Sequence, residues 1–183
     1  MNFNISTNRS KVLSLGPDQE KPVGEHWGGY YSSILKVGSP VGLFYGQVYE
    51  GVLTQQDIDA GNLSARPGDP KFKNIPDDPN NSTVIGNANP DFFGGFGSTL
   101  YWKGLMLNAV FSYSVGGDRF WDEEKNSSGD MNVYNTSNRI LDSWTVNPGV
   151  NASYPRAMYY GWGSNSIITD RYIHDASYLR MTA

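Results

Sequence analysis

Hydrophobic and polar residues alternate along the stretch 105–115, which is the clearest pattern in the chain. One set of alternate positions is apolar or aromatic and consists of Leu105, Leu107, Ala109, Phe111, Tyr113 and Val115. The positions between them are mostly small or polar. A period of two residues is typical of a β-strand whose two faces meet different surroundings. Lys103-Gly104 precedes this stretch and follows an aromatic-rich stretch at 93–103, so the pattern predicts a hairpin with a tight turn.

Alternation also occurs near the two ends of the chain. It predicts strands at about 3–13 and 171–183, joined to the hairpin by long segments at about 14–92 and 116–170. In an antiparallel order, both long segments leave the sheet at the end opposite Lys103-Gly104. Thr54 could begin a short helix that ends at Gly61, although we expect only a local turn there.

Two environments fit this all-β pattern. Periodicity alone favours an antiparallel sheet of a soluble β-sandwich, because such sheets are common. Short turns at one end and long loops at the other favour an outer-membrane β-barrel, whose strands have about 9–11 residues. In a barrel, the apolar set at 105–115 would contact lipid, and Tyr101 and Trp102 would belong to an interfacial aromatic girdle. The residues that would then face the lumen are Asn108, Ser112, Ser114, Tyr178 and Arg180.

Composition narrows the class of protein. Aromatic residues make up 14% of the chain, charged residues 17%, and there are 21 glycines, which fits β-structure with long turns better than disorder. The net charge of −4 is spread without a basic stripe, so we expect no nucleic-acid partner. Cysteine is absent, and no metal or cofactor motif is present. The chain has no signal peptide after Met1 and stops within a predicted strand at Ala183, so we expect a fragment of a longer protein.

Five segments carry a family resemblance. They are NFNISTNRSKVLSLG (2–16), VGSPVGLFYGQVYEGV (37–52), the hairpin region from Ile85 to Asp118, SWTVNPGVNASYPR (143–156) and IHDASYLRM (173–181). Taken in this order, they resemble the C-terminal part of SusC/RagA-type receptors, which are TonB-dependent outer-membrane transporters of Bacteroidetes. The second segment is similar to that family's G-x-P-x-G-x-F-Y-G-x-x-x-x-G pattern. The matching residues there are Gly38, Pro40, Gly42, Phe44, Tyr45, Gly46 and Gly51. The fourth segment matches a Trp–Asn–Pro-Arg pattern through Trp144, Asn147, Pro155 and Arg156.

The resemblance implies part of a 22-stranded barrel from which the plug domain is missing. It also implies nutrient import across the outer membrane of a Gram-negative cell. The cargo would be oligosaccharides or peptides, the energy would come from the TonB complex, and a SusD-like surface lipoprotein would be the partner. The family often carries an Asp-x-Asn-x-Asp-Gly run after a Gly-Asp pair. Here Gly68-Asp69 is followed instead by adjacent Asp77 and Asp78, whose spacing does not suit a calcium loop.

Candidate binding residues concentrate in the second long segment. They are the aromatic residues Trp121, Trp144, Tyr159, Tyr160 and Trp162, which could contact a sugar or the lipoprotein, or could pack in a small core that holds the segment together. Asp122, Glu123 and Glu124 could serve a glycoside hydrolase, but adjacent acids are more often a solvated loop. We therefore predict a non-enzyme, with a soluble glycan-binding β-sandwich as the first alternative and a glycoside hydrolase fragment as the second.

Overall fold

The structure, a computed structural model, describes residues 1–25, 31–61, 63–73, 81–128, 130–131, 136–144, 148, 152, 154–159 and 167–182. In these residues β-strands predominate, and all but one of the strand pairs are antiparallel. The strands are β1 (Asn2–Ser6), β2 (Glu20–Glu25), β3 (Tyr31–Lys36), β4 (Leu43–Gly46), β5 (Tyr49–Val52), β6 (Pro70–Phe72), β7 (Thr83–Asn87), β8 (Phe92–Trp102), β9 (Leu105–Val115), β10 (Asp118–Phe120), β11 (Asp130–Met131), β12 (Met158–Tyr159), β13 (Ile173–Asp175) and β14 (Tyr178–Met181). The α-helices are α1 (Gln55–Gly61) and α2 (Asp122–Ser128).

Four strands form the sheet that contains the predicted hairpin, which we call the hairpin sheet. Its order is β1-β8-β9-β14, and every neighbouring pair is antiparallel. Phe93 pairs with both Ser6 and Ser114, so the last residue of β1, the start of β8 and the end of β9 lie at the same end of the strands. Tyr178, at the start of β14, pairs with Ser114 at this end too. Both long segments therefore leave the hairpin sheet from the same end.

The opposite end of the hairpin sheet is closed by a two-residue turn. Trp102 pairs with Leu105, and the residues between them, Lys103 and Gly104, have φ angles of +44° and +85°. Positive φ at both central positions is the requirement of the hairpin turn that matches the twist of antiparallel strands. Glycine meets this requirement without strain, whereas Lys103 adopts a conformation that a side chain disfavours.

One face of the hairpin sheet is apolar across all four strands. The register places Phe3 and Ile5 of β1 beside Phe96 and Gly94, and Leu179 of β14 beside Tyr113. Stacked rings connect the strands, with centroid distances of 4.8 Å between Phe96 and Phe111 and 6.3 Å between Phe3 and Tyr113. This face is nevertheless open. Relative exposures are about three-fifths at most of its outer positions, for example 64% at Phe3, 60% at Leu107 and 66% at Leu179.

The other face of the hairpin sheet is mixed in polarity. Asn108, Ser112, Ser114, Tyr178 and Arg180 share it, as their register shows. Hydrogen bonds cross the strands here, and the Arg180 guanidinium lies 5.3 Å from the ring centre of Tyr178. Apolar side chains also occur on this face, namely Phe93, Tyr101, Met106 and Val110.

The buried core lies in the long segments rather than in the hairpin sheet. The segment before the hairpin forms the sheet β2-β3-β4-β7, the pair β5-β6 and helix α1, and the segment after it contributes the pair β10-β13. The buried apolar side chains are Ile34, Leu43, Val52, Leu53, Ile58, Phe72, Ile167, Ile168 and Tyr172, which we call the loop core. A main-chain hydrogen bond from Gln47 to Ile168 joins the two long segments.

Several predicted element boundaries differ from the structure. The first strand stops at Ser6 instead of 13, because the main chain of Val12 bonds to the β3–β4 turn at Gly38 and Ser39. The last predicted strand is divided into a 3-10 turn, β13 and β14, because Ser177 bonds back to the Asp175 carboxylate. The expectation of only a local turn after Thr54 was wrong, since α1 forms there. The segments 14–92 and 116–170, predicted as loops, contain the strands and helices of the loop core. None of the described helices is long and apolar enough to span a membrane.

Candidate functional site

A cleft of about 370 Å³ opens where the chain leaves the hairpin sheet. Its lining residues are Arg119, Trp121, Glu123, His174 and Asp175. Strands β10 and β13 position it, since Arg119 pairs with His174 and directly opposed residues project from the same face. The opposite face of β10 is anchored by Phe120, which packs against Phe44 and Tyr172. The cleft is thus built on a ribbon that is held from behind by the loop core.

Trp121 occupies the wall of this cleft. Its main-chain N–H donates to the Tyr172 carbonyl at 2.9 Å, which fixes where helix α2 begins. The indole meets the His174 ring edge-on, with 5.5 Å between centroids, and the Arg139 guanidinium lies 5.2 Å from the indole centre. The indole N–H points to the Glu123 carboxylate at 3.4 Å. Contacts on several sides hold Trp121 in one orientation while 39% of its surface stays exposed.

Glu124 organises the side chains behind Trp121. Its side chain is only 5% exposed, and its carboxylate accepts hydrogen bonds from Arg139 and, at 3.3 Å, from the Tyr154 hydroxyl. Its other oxygen lies 2.6 Å from Nε2 of His174. A buried carboxylate needs such partners, because an unpaired charge in the interior is strongly unfavourable. The solvated-loop interpretation of these acids was therefore wrong for Glu124, whereas Asp122 and Glu123 are exposed.

Asp175 closes one end of the cleft. Its Oδ1 accepts hydrogen bonds from both the main-chain N–H and the hydroxyl of Ser177, at 2.8 and 2.6 Å. These bonds lower the pKa of the Asp175 carboxyl below its usual value. Hydrogen bonds to a carboxylate favour its charged form, so Asp175 presents an ionised acceptor to the cleft.

A second cluster joins residues that are far apart in sequence. Gly68 lies under the indole of Trp144, and a Cβ built on Gly68 would be 2.5 Å from Cδ2 of that ring. Asp69 forms an ion pair with Arg156, whose main-chain N–H also donates to the Gly68 carbonyl at 2.7 Å. Trp144 is thus half-buried against Gly68, a packing contact that fits the structural one of its two predicted roles.

The chain is similar in sequence and in fold to known proteins. No protein-family model matches the sequence. Two TonB-dependent receptors of Formosa agariphila, named P3 and P39, are similar to 98% of the chain at 29% and 25% identity. The predicted resemblance to TonB-dependent receptors is confirmed. The chain spans 18% and 21% of the length of these receptors. Among solved structures, the RagAB peptide transporter matches 98% of the chain with a TM-score of 0.69 at 18% identity. The matched part makes up 19% of the transporter's own chain.

The glycines of the motif at 38–51 have physical explanations in the structure. Gly38, Gly42 and Gly51 have positive φ angles of +87°, +93° and +117°, which glycine adopts without strain. Gly46 lies directly against the Ile168 carbonyl, where a Cβ would collide with the main chain. The motif thus shapes the β3–β4–β5 path and the close junction between the two long segments.

The structure places the predicted site residues in different parts of the fold. Trp121 lies on the cleft and Trp144 in the Gly68 cluster, so these two do not form one site. The main chain of Tyr159 belongs to β12, while Tyr160, Trp162, Asn147, Asp77 and Asp78 lie outside the described residues. Sequence reasoning missed Arg119, His174 and Asp175 as cleft residues. The available signal was their position, since Arg119 follows the Gly116-Gly117 pair and His174-Asp175 precedes the Ser177-Tyr178 pattern.

Proposed function

We propose that the hairpin sheet is part of the wall of an outer-membrane β-barrel in a TonB-dependent receptor. The observation that carries this proposal is the apolar face shared by β1, β8, β9 and β14, which is open rather than covered. Apolar surface of this extent is unfavourable in water, and large open patches mark contact with a membrane or a partner. Strands β8 and β9 each have 11 residues. At a tilt of about 45°, such strands span about 25 Å, which matches the apolar band of a barrel.

Further features of the hairpin sheet support the same orientation. Trp102 is exposed beside the tight turn on the apolar face, where a barrel has its aromatic girdle, whereas Tyr101 projects from the opposite face and does not fit its predicted place in the girdle. The short turn would then be periplasmic, and the long segments with the cleft would be extracellular. Asn108, Ser112, Ser114, Tyr178 and Arg180 would face the lumen of a 22-stranded, plugged barrel.

The soluble β-sandwich alternative has less support. A sandwich packs a second sheet about 10 Å from the first, so that both inner faces are buried. In the part of the chain that the structure describes, no sheet covers the apolar face, and Leu105, Leu107 and Leu179 remain mostly exposed. The glycoside hydrolase alternative is disfavoured because the Glu124 carboxylate is already bonded to Arg139, Tyr154 and His174.

Nitroxide labels on introduced cysteines can test the lipid-facing assignment, and these 183 residues contribute no competing thiol. Single cysteines at the consecutive positions Leu107, Asn108, Ala109 and Val110 would be labelled in the native gene product, reconstituted in lipid. We expect collisions with oxygen to dominate at positions 107 and 109, and collisions with a water-soluble nickel complex to dominate at 108 and 110. Uniform accessibility along the four positions would contradict the barrel.

We further propose that the receptor imports oligosaccharides or peptides, energised by the TonB complex, together with a SusD-like surface lipoprotein. The similarity to named TonB-dependent receptors and the fold shared with the RagAB peptide transporter support this role. Deletion of the gene should abolish growth on one glycan or peptide source, and the intact gene should restore it. The lipoprotein should co-purify with the receptor from detergent-solubilised outer membranes. Unchanged growth on every source would contradict import.

A further inference from the structure

The cleft at Arg119, Trp121, Glu123, His174 and Asp175 carries an inference that rests on the proposed function. Its volume of about 370 Å³ lies within the range of about 300–1,000 Å³ that is typical of small-molecule sites. A network of side-chain contacts stands behind it, since the buried Glu124 carboxylate binds Arg139 and His174, and both of these contact Trp121. The aromatic wall is therefore preorganised before any ligand arrives, which lowers the entropic cost of binding.

The polar groups of the cleft include both donors and acceptors. Among the described residues Arg119 makes no ion pair, so its fork of N–H donors is open to a ligand. Asp175 uses Oδ1 to bind Ser177, and its second oxygen has no described partner. Glu123 adds a further exposed acceptor. A ligand with many hydroxyl groups fits this set, because each hydroxyl can both accept from Arg119 and donate to a carboxylate.

The placement of these groups favours a sugar over a peptide as the ligand of the cleft. An extended peptide is commonly recognised by adding a strand to an open sheet edge through main-chain hydrogen bonds. In this cleft the binding groups are side chains next to an indole, and Arg119 and His174 rise from one face of the β10–β13 ribbon. An indole offers a flat apolar surface for the C–H face of a sugar ring, while its polar neighbours bind the hydroxyl groups at the rim.

We propose that this cleft binds one sugar unit of a glycan at the extracellular end of the receptor. Trp121 supplies the stacking surface, Arg119 donates to the sugar hydroxyls, and Asp175 and Glu123 accept from them. Glu124 is a positioning residue that acts through Trp121 and His174. The cleft is an extracellular contact that precedes passage through the barrel, so its loss weakens capture without changing the fold of the barrel.

Binding measurements on the native gene product in detergent test the proposal. An array of neutral and acidic plant, algal and fungal oligosaccharides of four to eight units serves as the probe, and calorimetry then follows the best-bound one. We expect Trp121→Ala and Arg119→Gln each to weaken binding about tenfold or more. The matched controls Trp102→Ala and Arg66→Ala change the same residue types outside the cleft and should leave the affinity unchanged. Thermal unfolding of each variant identifies any loss that comes from misfolding.

Three results would overturn the assignment. They are equal affinity of the cleft variants and the controls, absence of any bound oligosaccharide on the array, and binding of a peptide library that is lost with Trp121→Ala. Energised uptake by intact cells is measured separately. If the cleft variants bind and take up the oligosaccharide normally, the sugar site is refuted and the import function is not. If the protein binds the oligosaccharide through the cleft but cells do not take it up, the import function is refuted and the sugar site is not.

Discussion

Gly68 and Trp144 are 76 positions apart in the sequence, yet one packs directly on the other. Gly68 combines a φ of +89° with an indole ring where its side chain would be. The adjacent Asp69–Arg156 ion pair and the bond from Arg156 to the Gly68 carbonyl join the same two segments. Single residues thus connect the segment before the hairpin with the segment after it.

Gly68→Ala should destabilise the fold by about 2–4 kcal/mol, which combines backbone strain with overpacking against Trp144. Gly16→Ala is the matched control, because Gly16 also has a positive φ, +74°, but has open space around it. Its expected cost is about 1–2 kcal/mol from backbone strain alone. Chemical unfolding of the native gene product in detergent measures both values. Equal costs for the two variants would show that the contact with Trp144 is unimportant.

Glu124→Gln should destabilise the region around helix α2 by about 1–3 kcal/mol, because Arg139 and His174 lose a charged acceptor in a buried position. The exposed neighbour Glu123 is the control, and Glu123→Gln should change stability by less than about 0.5 kcal/mol. Hydrogen exchange across residues 121–128 reports the local effect. Identical exchange in the two variants would contradict the positioning role of Glu124.

At the scale of elements, helix α1 illustrates how local signals and tertiary contacts combine. Thr54 caps the helix, with its hydroxyl accepting from the Asp57 main-chain N–H at 3.1 Å and the Asp57 carboxylate accepting from the Thr54 main-chain N–H at 2.9 Å. This reciprocal pair is a capping box, which ties up main-chain donors at the start of the helix. Lys71 of β6 adds an ion pair to Asp57 at 2.7 Å, so the helix is also held from outside.

The stabilising effect of Asp57 should depend on pH. Hydrogen bonds from Lys71 and Thr54 hold the pKa of the Asp57 carboxyl well below its usual value. Because the folded-state pKa is depressed, the stabilisation is complete above the unfolded-state pKa of about 4 and declines as the pH falls below it. The difference in unfolding free energy between the native protein and Asp57→Asn should therefore be smaller at pH 3 than at pH 7. Asp59→Asn serves as the control, and a difference that stays constant with pH would contradict this role.

At the scale of the whole molecule, the apolar surface and the buried core are in different places. The loop core is buried among the long segments, whereas the hairpin sheet shows an open apolar face on four strands. The outer edges of β1 and β14 have no strand partner among the described residues. Open edges and apolar faces both promote association between chains.

The 183-residue chain produced by itself should therefore aggregate in plain buffer and require detergent to stay dispersed. Light scattering and size-exclusion chromatography, each with and without detergent micelles, measure this behaviour. Replacing Leu107 and Leu179 together with serine should reduce the aggregation, because both residues lie on the exposed apolar face. A monodisperse monomer that unfolds cooperatively in plain buffer would instead favour a soluble β-sandwich.

Local patterns in the sequence were sufficient for the hairpin and for the two faces of β9. The period of two residues is imposed by strand geometry, and Lys103-Gly104 occurs where both φ angles are positive. The order of the glycine and aromatic motifs was sufficient for the resemblance to TonB-dependent receptors. The capping residues around Thr54 also indicate a helix, and α1 forms there.

Only the tertiary structure decided which elements and contacts the long segments form. Their strands are only 2–6 residues long, too short for alternation to be distinguished from chance. Arg119, Trp121 and His174 meet because β10 pairs with β13 across more than 50 intervening residues, and Trp144 reaches Gly68 across a similar distance in sequence. Such contacts depend on the packing of whole elements, which leaves no periodic signal in the residues themselves. The sequence by itself thus determined the alternating sheet, and only the packing of the long segments created the cleft.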